Sequence, residues 1–400
     1  MALKKTILIL QVSALLFAQN VPAQPSQPDS AFYAEKTVFG KKKTVLTMDF
    51  SYIRRPASVE AFKPVFHFPP VRQDTTNTCW AFSGISFLES EIFRIHGRKI
   101  KLSEMYTVYW EYFEKARRYV QKRGDSEFPE GSEHEAVILR IQQYGTVPGE
   151  AYTGLLPGRM KHNHTAMVEE LRGYLDYVKN HSIWNEEQVL ANVRLIQDKH
   201  MGKPPETVRV DGRILTPKAY AEQVVRLPLE DYVNVMSFTY LPFYTKGEFK
   251  VEDNWWHSKE YYNLPLGEWF AAIRLAIRNG YSLAIGGDVS ESGKSRDDGI
   301  FVIPDFDLPQ DRINQSSREF RFYNHTTEDD HGIHLVGWTQ SDGHDWFLLK
   351  DSAASAHDGA YKGYYFYRDD CVRLKMLTFM VHRDAVADLL VKCEHPTEGP

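Results

Sequence analysis

Gln73 and Cys79 stand six residues apart in the run Val71-Arg72-Gln73-Asp74-Thr75-Thr76-Asn77-Thr78-Cys79-Trp80-Ala81-Phe82-Ser83-Gly84. Apolar residues then recur at Phe82, Ile85, Leu88, Ile92 and Ile95, a helical period that closes near Gly97. Cys79 thus opens a helix, where the positive end of the backbone dipole favours thiolate over thiol. The Gln73 side-chain amide can swing to the same place. With the Cys79 backbone N–H it would supply two donors for an oxyanion developing on an attacked carbonyl. These are parts of a thiol acyl-transfer site, against the plain alternative that a lone helical Cys is a core residue.

A cysteine nucleophile needs a base, and histidine titrates in the right range. The chain holds 15 His, so residue type alone selects none. Two of them share the stretch Asp330-His331-Gly332-Ile333-His334-Leu335-Val336-Gly337-Trp338. On an alternating strand, positions 331 and 334 face opposite sides, so only one can meet the thiol.

The Gln-to-Cys spacing and the Cys-Trp-Ala-Phe-Ser run resemble the papain-like cysteine peptidases. Asn77 and Thr78 depart from the small residues usual there, and Asn tolerates the positive φ that a tight entry needs. The resemblance narrows to the bleomycin hydrolase and aminopeptidase C branch at four further places. These are Gly202-Lys203-Pro204-Pro205-Glu206-Thr207, Thr216-Pro217-Lys218-Ala219-Tyr220, Tyr262-Asn263 and Ile285-Gly286-Gly287-Asp288-Val289. It extends roughly from Ala61 to Leu390.

The resemblance implies that His331 is the catalytic imidazole and that His334 is structural or solvent-facing. The family's Asn-Ser-Trp after a Lys appears as Lys350-Asp351-Ser352-Ala353, which puts Asp351 where Asn orients the imidazole. Asp accepts the same His N–H bond and, as an anion, strengthens a Cys⁻/His⁺ pair. Without the Trp, that bond is less shielded from water unless Tyr361 or Tyr364 covers it. Gly131 and Ser132 resemble the turn whose backbone pairs with bound peptide, Ser132 replacing a second Gly, and Trp80 is implied on the substrate side.

Length and composition frame this reading. Four hundred residues, 42% of them hydrophobic, are enough for two lobes around a cleft. Lys4 and Lys5 followed by an apolar run, Ile7 to Ala18, read as a secretory signal over residues 1–23, and the expected location is periplasmic or secreted. Without that segment, 46 basic residues face 53 acidic ones, a net charge of −7. Such a balance gives no electrostatic footprint for nucleic acid. No stretch has the length and apolarity of a membrane span. No His/Cys/Asp cluster has ligand spacing, so neither metal nor cofactor is expected. Cys371 and Cys393 are open to pairing as a disulfide or to remaining thiols.

The expected fold is α+β, papain-like and two-lobed. A helical lobe (61–151) carries Cys79 and an antiparallel, barrel-like lobe (266–392) carries His331 and Asp351. A helical insertion (152–265) lies between them, an arm (24–60) precedes them, and a tail (393–400) follows. The expected activity is peptide-bond hydrolysis, with either aminopeptidase or open-cleft endopeptidase action. A catalytically inactive peptide-binding scaffold is the reading from another class. Peptides are the expected substrates, and the branch's habit of assembly leaves a homo-oligomer open.

Overall fold

The computed structural model describes residues 31–38, 41–290 and 292–394. The signal segment at 1–23 and positions 395–400 of the tail lie outside the described residues. A hairpin of β1 (Ala31–Val38) and β2 (Lys41–Met48) fills much of the expected arm. A two-residue strand, β3 (Lys63–Pro64), follows.

The helical region begins with α1 (Cys79–His96), which stops at Gly97 in the left-handed conformation. Its buried face carries Phe82, Ile85, Leu88 and Ile92, while Ile95 is exposed. Helix α2 (Glu104–Gln121) is capped by Ser103, whose hydroxyl accepts the Tyr106 N–H at 3.0 Å. Helix α3 (Glu135–Tyr144) starts after the Gly131–Ser132 turn and ends at Gly145, where φ is 76°. A side chain on Gly145 would strike the Pro217 backbone, so glycine is needed there for space as well as for φ. Helix α5 (Glu186–Met201) packs beside α2, and α4 (Thr165–Asn180) packs against α5. A hairpin, β4 (Val208–Val210) and β5 (Arg213–Leu215), and the short α6 (Pro217–Tyr220) complete this part.

The remainder is organised by one long sheet. Its strands are β6 (Tyr232–Met236), β7 (Thr245–Gly247), β8 (Tyr261–Asn263), β9 (Leu283–Gly287), β10 (Lys294–Ser295), β11 (Ile300–Phe301), β12 (His331–Ser341), β13 (His344–Lys350), β14 (Tyr364–Arg368) and β15 (Met376–His382). The spatial order is β10-β11-β14-β13-β12-β9-β15-β6-β8-β7, with β3 joining β12. Helices α7 (Leu266–Arg278), α8 (Gln315–Tyr323), α9 (Ala354–His357), α10 (Asp369–Lys375) and α11 (Ala387–Glu394) interrupt or follow these strands.

Two outcomes differ from the sequence-based expectation. The sheet is open, with no closed barrel among the described residues, because β10 and β7 lie at opposite ends of the strand order. Two of its pairings, β11–β14 and β6–β8, are parallel. The segment 152–265 is helical only in its first part, and β6, β7 and β8 extend the sheet. Cys79 and Cys371 are free thiols; Cys371 is buried and donates to the Arg368 carbonyl at 3.0 Å.

Two large apolar cores follow from this arrangement. One gathers α1 to α5 around Phe87, Tyr109 and Leu171. The other lies between one sheet face and α7 and α10, around Trp269, Ile333 and Leu349. The start of α1 meets the start of β12, and both motifs found in the sequence converge there.

Candidate active site

Cys79 is the first residue of α1, so its backbone N–H has no acceptor one turn earlier within the helix. The loop leading to it is held from outside. Asp74 takes the positive φ, 57°, and its carboxylate accepts the His162 N–H at 3.0 Å. The left-handed residue of the entry is thus Asp74 and not Asn77. Thr76 and Thr78 share a hydroxyl hydrogen bond of 2.7 Å that closes the final turn before the helix.

The Cys79 sulfur lies 3.5 Å from the Gly332 backbone N–H, which points at it. Glycine is required at 332 because a side chain there would press on the His134 ring. His134 is locked in turn by Ser83, whose hydroxyl lies 2.8 Å from Nε2.

His331 stands beside the thiol. Its Nε2 is 2.8 Å from Asp351 Oδ1, and the imidazole and carboxylate are 8% and 0% exposed. Burial by itself would lower the histidine pKa; the Asp351 and Cys79 charges and hydrogen bonds overcome it and lift the value to about 10. Burial would raise the Asp351 pKa, yet the His331 charge and hydrogen bond, with Lys294 and the Ala353 N–H, hold it to about 2. Both shifts describe a charged imidazolium–carboxylate pair.

Gln73 joins the same locality. Its backbone N–H donates to the Ser352 carbonyl at 2.9 Å, and the Ser352 hydroxyl donates to Gln73 Oε1 at 2.6 Å. Nε2 donates to the Thr76 carbonyl at 2.6 Å, which uses one of its two hydrogens. Ser352 is therefore the clamp on Gln73.

The substrate-side residues are disposed differently. Trp80 is 2% exposed and packs into the helical core, so its ring is not a wall of the cleft in this state. Ser132 is also buried and its hydroxyl donates to Glu111 at 2.6 Å, where Trp255 Nε1 also donates. Gly131 carries the Asp253 carboxylate directly against its Cα, and any side chain there would overlap it. The Gly131 carbonyl accepts from the buried Lys115 ammonium, which also binds the Pro129 carbonyl at 3.0 Å.

His334, the competing histidine, is buried, with Nδ1 at 2.8 Å from the Ser86 hydroxyl. Lys350 also donates to that hydroxyl, at 2.7 Å. The solvent-facing alternative for His334 does not hold. Tyr361 stacks on Phe366 and the Tyr364 hydroxyl meets His67, while Tyr365 and Tyr367 lie within electrostatic reach of Asp351.

No family model matches the sequence, and no curated protein matches it. Among solved structures, PepW from Lactobacillus rhamnosis HN001 aligns with a TM-score of 0.67 over 85% of this chain and 85% of its own, at 17% identity. The chain has a papain-like fold. A clostridial cysteine protease, Cwp84, aligns over 79% of this chain and 55% of its own, at 13% identity. Its TM-score of 0.38 is too low to carry any argument. Within the papain-like fold, Cys79, His331, Asp351 and Gln73 fall at one meeting point of helix and sheet.

Three neighbours of this point had no signal in the sequence. Lys294 sits in a Gly/Ser/Asp-rich loop, Asp253 in an acidic turn, and Lys115 inside an aromatic helix. Only the folded chain brings them to Asp351, Gly131 and Pro129.

Proposed function

We propose that this chain is a thiol peptidase that hydrolyses peptide bonds through Cys79, His331, Asp351 and Gln73. The observation that carries the reading is the His331 imidazole set between the Cys79 thiol and the Asp351 carboxylate, with Asp351 at 2.8 Å. In this mechanism the Cys79 thiolate attacks the scissile carbonyl carbon. The Cys79 N–H and the free Gln73 N–H donate to the oxyanion. His331 gives its proton to the leaving amine as the C–N bond breaks, and a thioester remains on Cys79. Water then attacks the thioester, His331 takes its proton, and the acid product leaves as the C–S bond breaks and the Cys79 thiolate is regenerated.

The bleomycin hydrolase and aminopeptidase C resemblance favours removal of residues from the peptide N-terminus. An observation outside the motifs supports it. The segment from Glu252 to Trp256 is tied to α2 by Trp255 and sets Asp253 on Gly131, the residue the resemblance aligns with substrate backbone. A carboxylate there suits a substrate ammonium and narrows the path for a longer chain. Export to the periplasm or medium belongs to the same reading and rests on residues 1–23 alone.

The test is a Cys-trapping epoxide followed by peptide mapping, with hydrolysis assayed in parallel. Modification of Cys79 together with loss of hydrolysis supports the reading. Full hydrolysis by Cys79→Ala refutes it, and trapping without any hydrolysis favours the inactive scaffold. For the mode, an N-acetylated peptide is compared with its free-amine twin. Stepwise loss from the free amine alone supports aminopeptidase action, whereas equal internal cleavage of both assigns an endopeptidase.

A further inference from the structure

Asp351 has one oxygen that the His331 contact leaves idle. Oδ1 accepts from His331 Nε2 and from the Ala353 N–H, each at 2.8 Å. Oδ2 is buried and accepts no hydrogen bond among the described residues. An Asn at this position would place a neutral amide group there. A carboxylate places a second anionic oxygen, and burying it is costly without a cation nearby.

The sheet brings one. Lys294 in β10 pairs with Phe301 in β11, Phe301 pairs with Tyr367 in β14, and Tyr365 pairs with Leu349 in β13. Directly paired residues share a sheet face, as do residues two apart on a strand. Lys294, Tyr367, Tyr365, Leu349 and Asp351 therefore follow one face toward the His331 end. The Lys294 ammonium lies 4.8 Å from the Tyr365 ring centroid, which extends it across β14 in that direction. Its backbone is tightly placed, because Gly293 packs so closely on the Val302 carbonyl that no side chain fits.

The charged and titratable groups facing Lys294 are Asp351, Asp330, Asp288 and the Cys371 thiol. Those facing Asp351 are His331, Lys294, Tyr365, Tyr367 and His357. Those facing His331 are Asp351, Cys79, Asp329, Asp330 and His134. Burial lowers the Lys294 pKa, and the surrounding carboxylates act against that.

We propose that Lys294 is the counter-cation of Asp351, a positioning residue that keeps this carboxylate ionised and turned toward His331. The proposal rests on the thiol-peptidase reading. It supplies a reason why this chain can use Asp where the family it resembles uses Asn: the extra negative charge is matched from β10, across β11 and β14 of the same sheet.

The experiment is a double-mutant cycle read by the pH dependence of Cys79 alkylation with iodoacetamide, which needs no peptide substrate. The variants are Lys294→Met, Lys294→Gln, Asp351→Asn and the two combinations, each checked for wild-type thermal unfolding. In the Asp351 background, both Lys294 variants are expected to slow alkylation several-fold on the acid limb, where Asp351 itself takes up a proton. They should also move the acid limb up by about one pH unit, because an anion without its cation protonates more readily. In the Asp351→Asn background the same substitutions should change the rate less than two-fold. Equal losses in both backgrounds, or an unmoved acid limb, would overturn the proposal and leave Lys294 a packing partner of Tyr365. Wild-type behaviour of Lys294→Gln would overturn it too, because an uncharged donor would then suffice. If wild-type Cys79 shows no rapid alkylation below pH 7, the thiol-peptidase reading itself fails, a result distinct from all of these.

Discussion

His331 and His334 lie three residues apart on β12, both buried, and the fold drives them to opposite charge states. His331 meets Asp351 and Cys79, and their negative charges outweigh burial, so its pKa rises to about 10. His334 meets no anion among the described residues. Burial pushes its pKa down, and Lys350, with His67 and His134, adds to the effect. Its Nδ1 is joined to Ser86, a neutral hydroxyl shared with Lys350. Burial alone therefore does not decide what a histidine does. The sign of the charge it faces does, and strand alternation decides which neighbours it faces.

The strongest way to break this comparison is to remove each imidazole while keeping the hydrogen bond it makes. His331→Gln leaves an amide near the position of Nε2, still able to donate to Asp351, but removes the base. Hydrolysis is expected to fall by more than about 10³-fold, as for loss of a member of a catalytic unit. His334→Asn keeps a polar atom near Nδ1 for Ser86 and should change kcat/KM less than three-fold. Comparable losses in both variants would mean that the two sites are not functionally distinct.

Asp351 offers the next largest effect. Asp351→Ala removes the His331 acceptor and leaves the ring free to turn, for an expected loss on the order of 10²-fold in kcat. Asp351→Asn keeps an acceptor oxygen and should retain activity within about ten-fold of wild type. It also removes the anion that raises His331, so the alkaline limb of kcat/KM should move to lower pH. An Asp351→Ala enzyme with wild-type kcat would reduce Asp351 to a strand-end turn residue.

Stability should show the same contrast on the alkaline side. A histidine whose folded pKa is raised stabilises the fold fully below its unfolded value, near 6.5, and that contribution fades as pH rises through the folded value. The window for His331 therefore runs from pH 6.5 to about 10. Unfolding free energies measured across it should fall less steeply for His331→Gln than for wild type. Parallel slopes would contradict the charged pair.

What could be read in advance follows the same division between local and assembled features. The Cys79 helix and the glycine at 97 were legible because a period of 3.6 and a helix-ending glycine are written within one segment. The His331–Asp351 pairing needed the family resemblance, since neither residue signals its partner 20 positions away. The strands β6 and β8 escaped notice because the long sheet takes them up from a region dominated by helices. Two of the stretches that carry the resemblance have structural roles: Asn263 binds the Phe238, Leu241 and Pro242 carbonyls, and Thr216 caps α6. The fold makes that part of the resemblance intelligible without assigning it chemistry. Asp253 and Lys294 had no legible role because their importance comes from strands and turns far away in sequence.

The smallest effect lies on the acid side and tests His334 alone. A buried histidine with a depressed pKa stays neutral in the folded chain, while the unfolded chain binds a proton below about pH 6.5. Its contribution is intact above 6.5 and is lost as pH falls toward the depressed folded value. Between pH 7 and pH 5 one such residue withdraws about 2 kcal/mol of stability, from the unfolded titration alone. His134, His164 and His67 act in the same direction, with values lowered by burial to about 3, about 3 and about 4. Wild type should therefore lose stability steeply below pH 6.5, and His334→Asn should remove one histidine's share of that slope. Denaturant titrations at pH 7, 6 and 5 measure it, with the pH 7 value absorbing any packing cost of the substitution. If the slope is unchanged, His334 carries a proton in the fold, and the contrast with His331 loses its electrostatic basis.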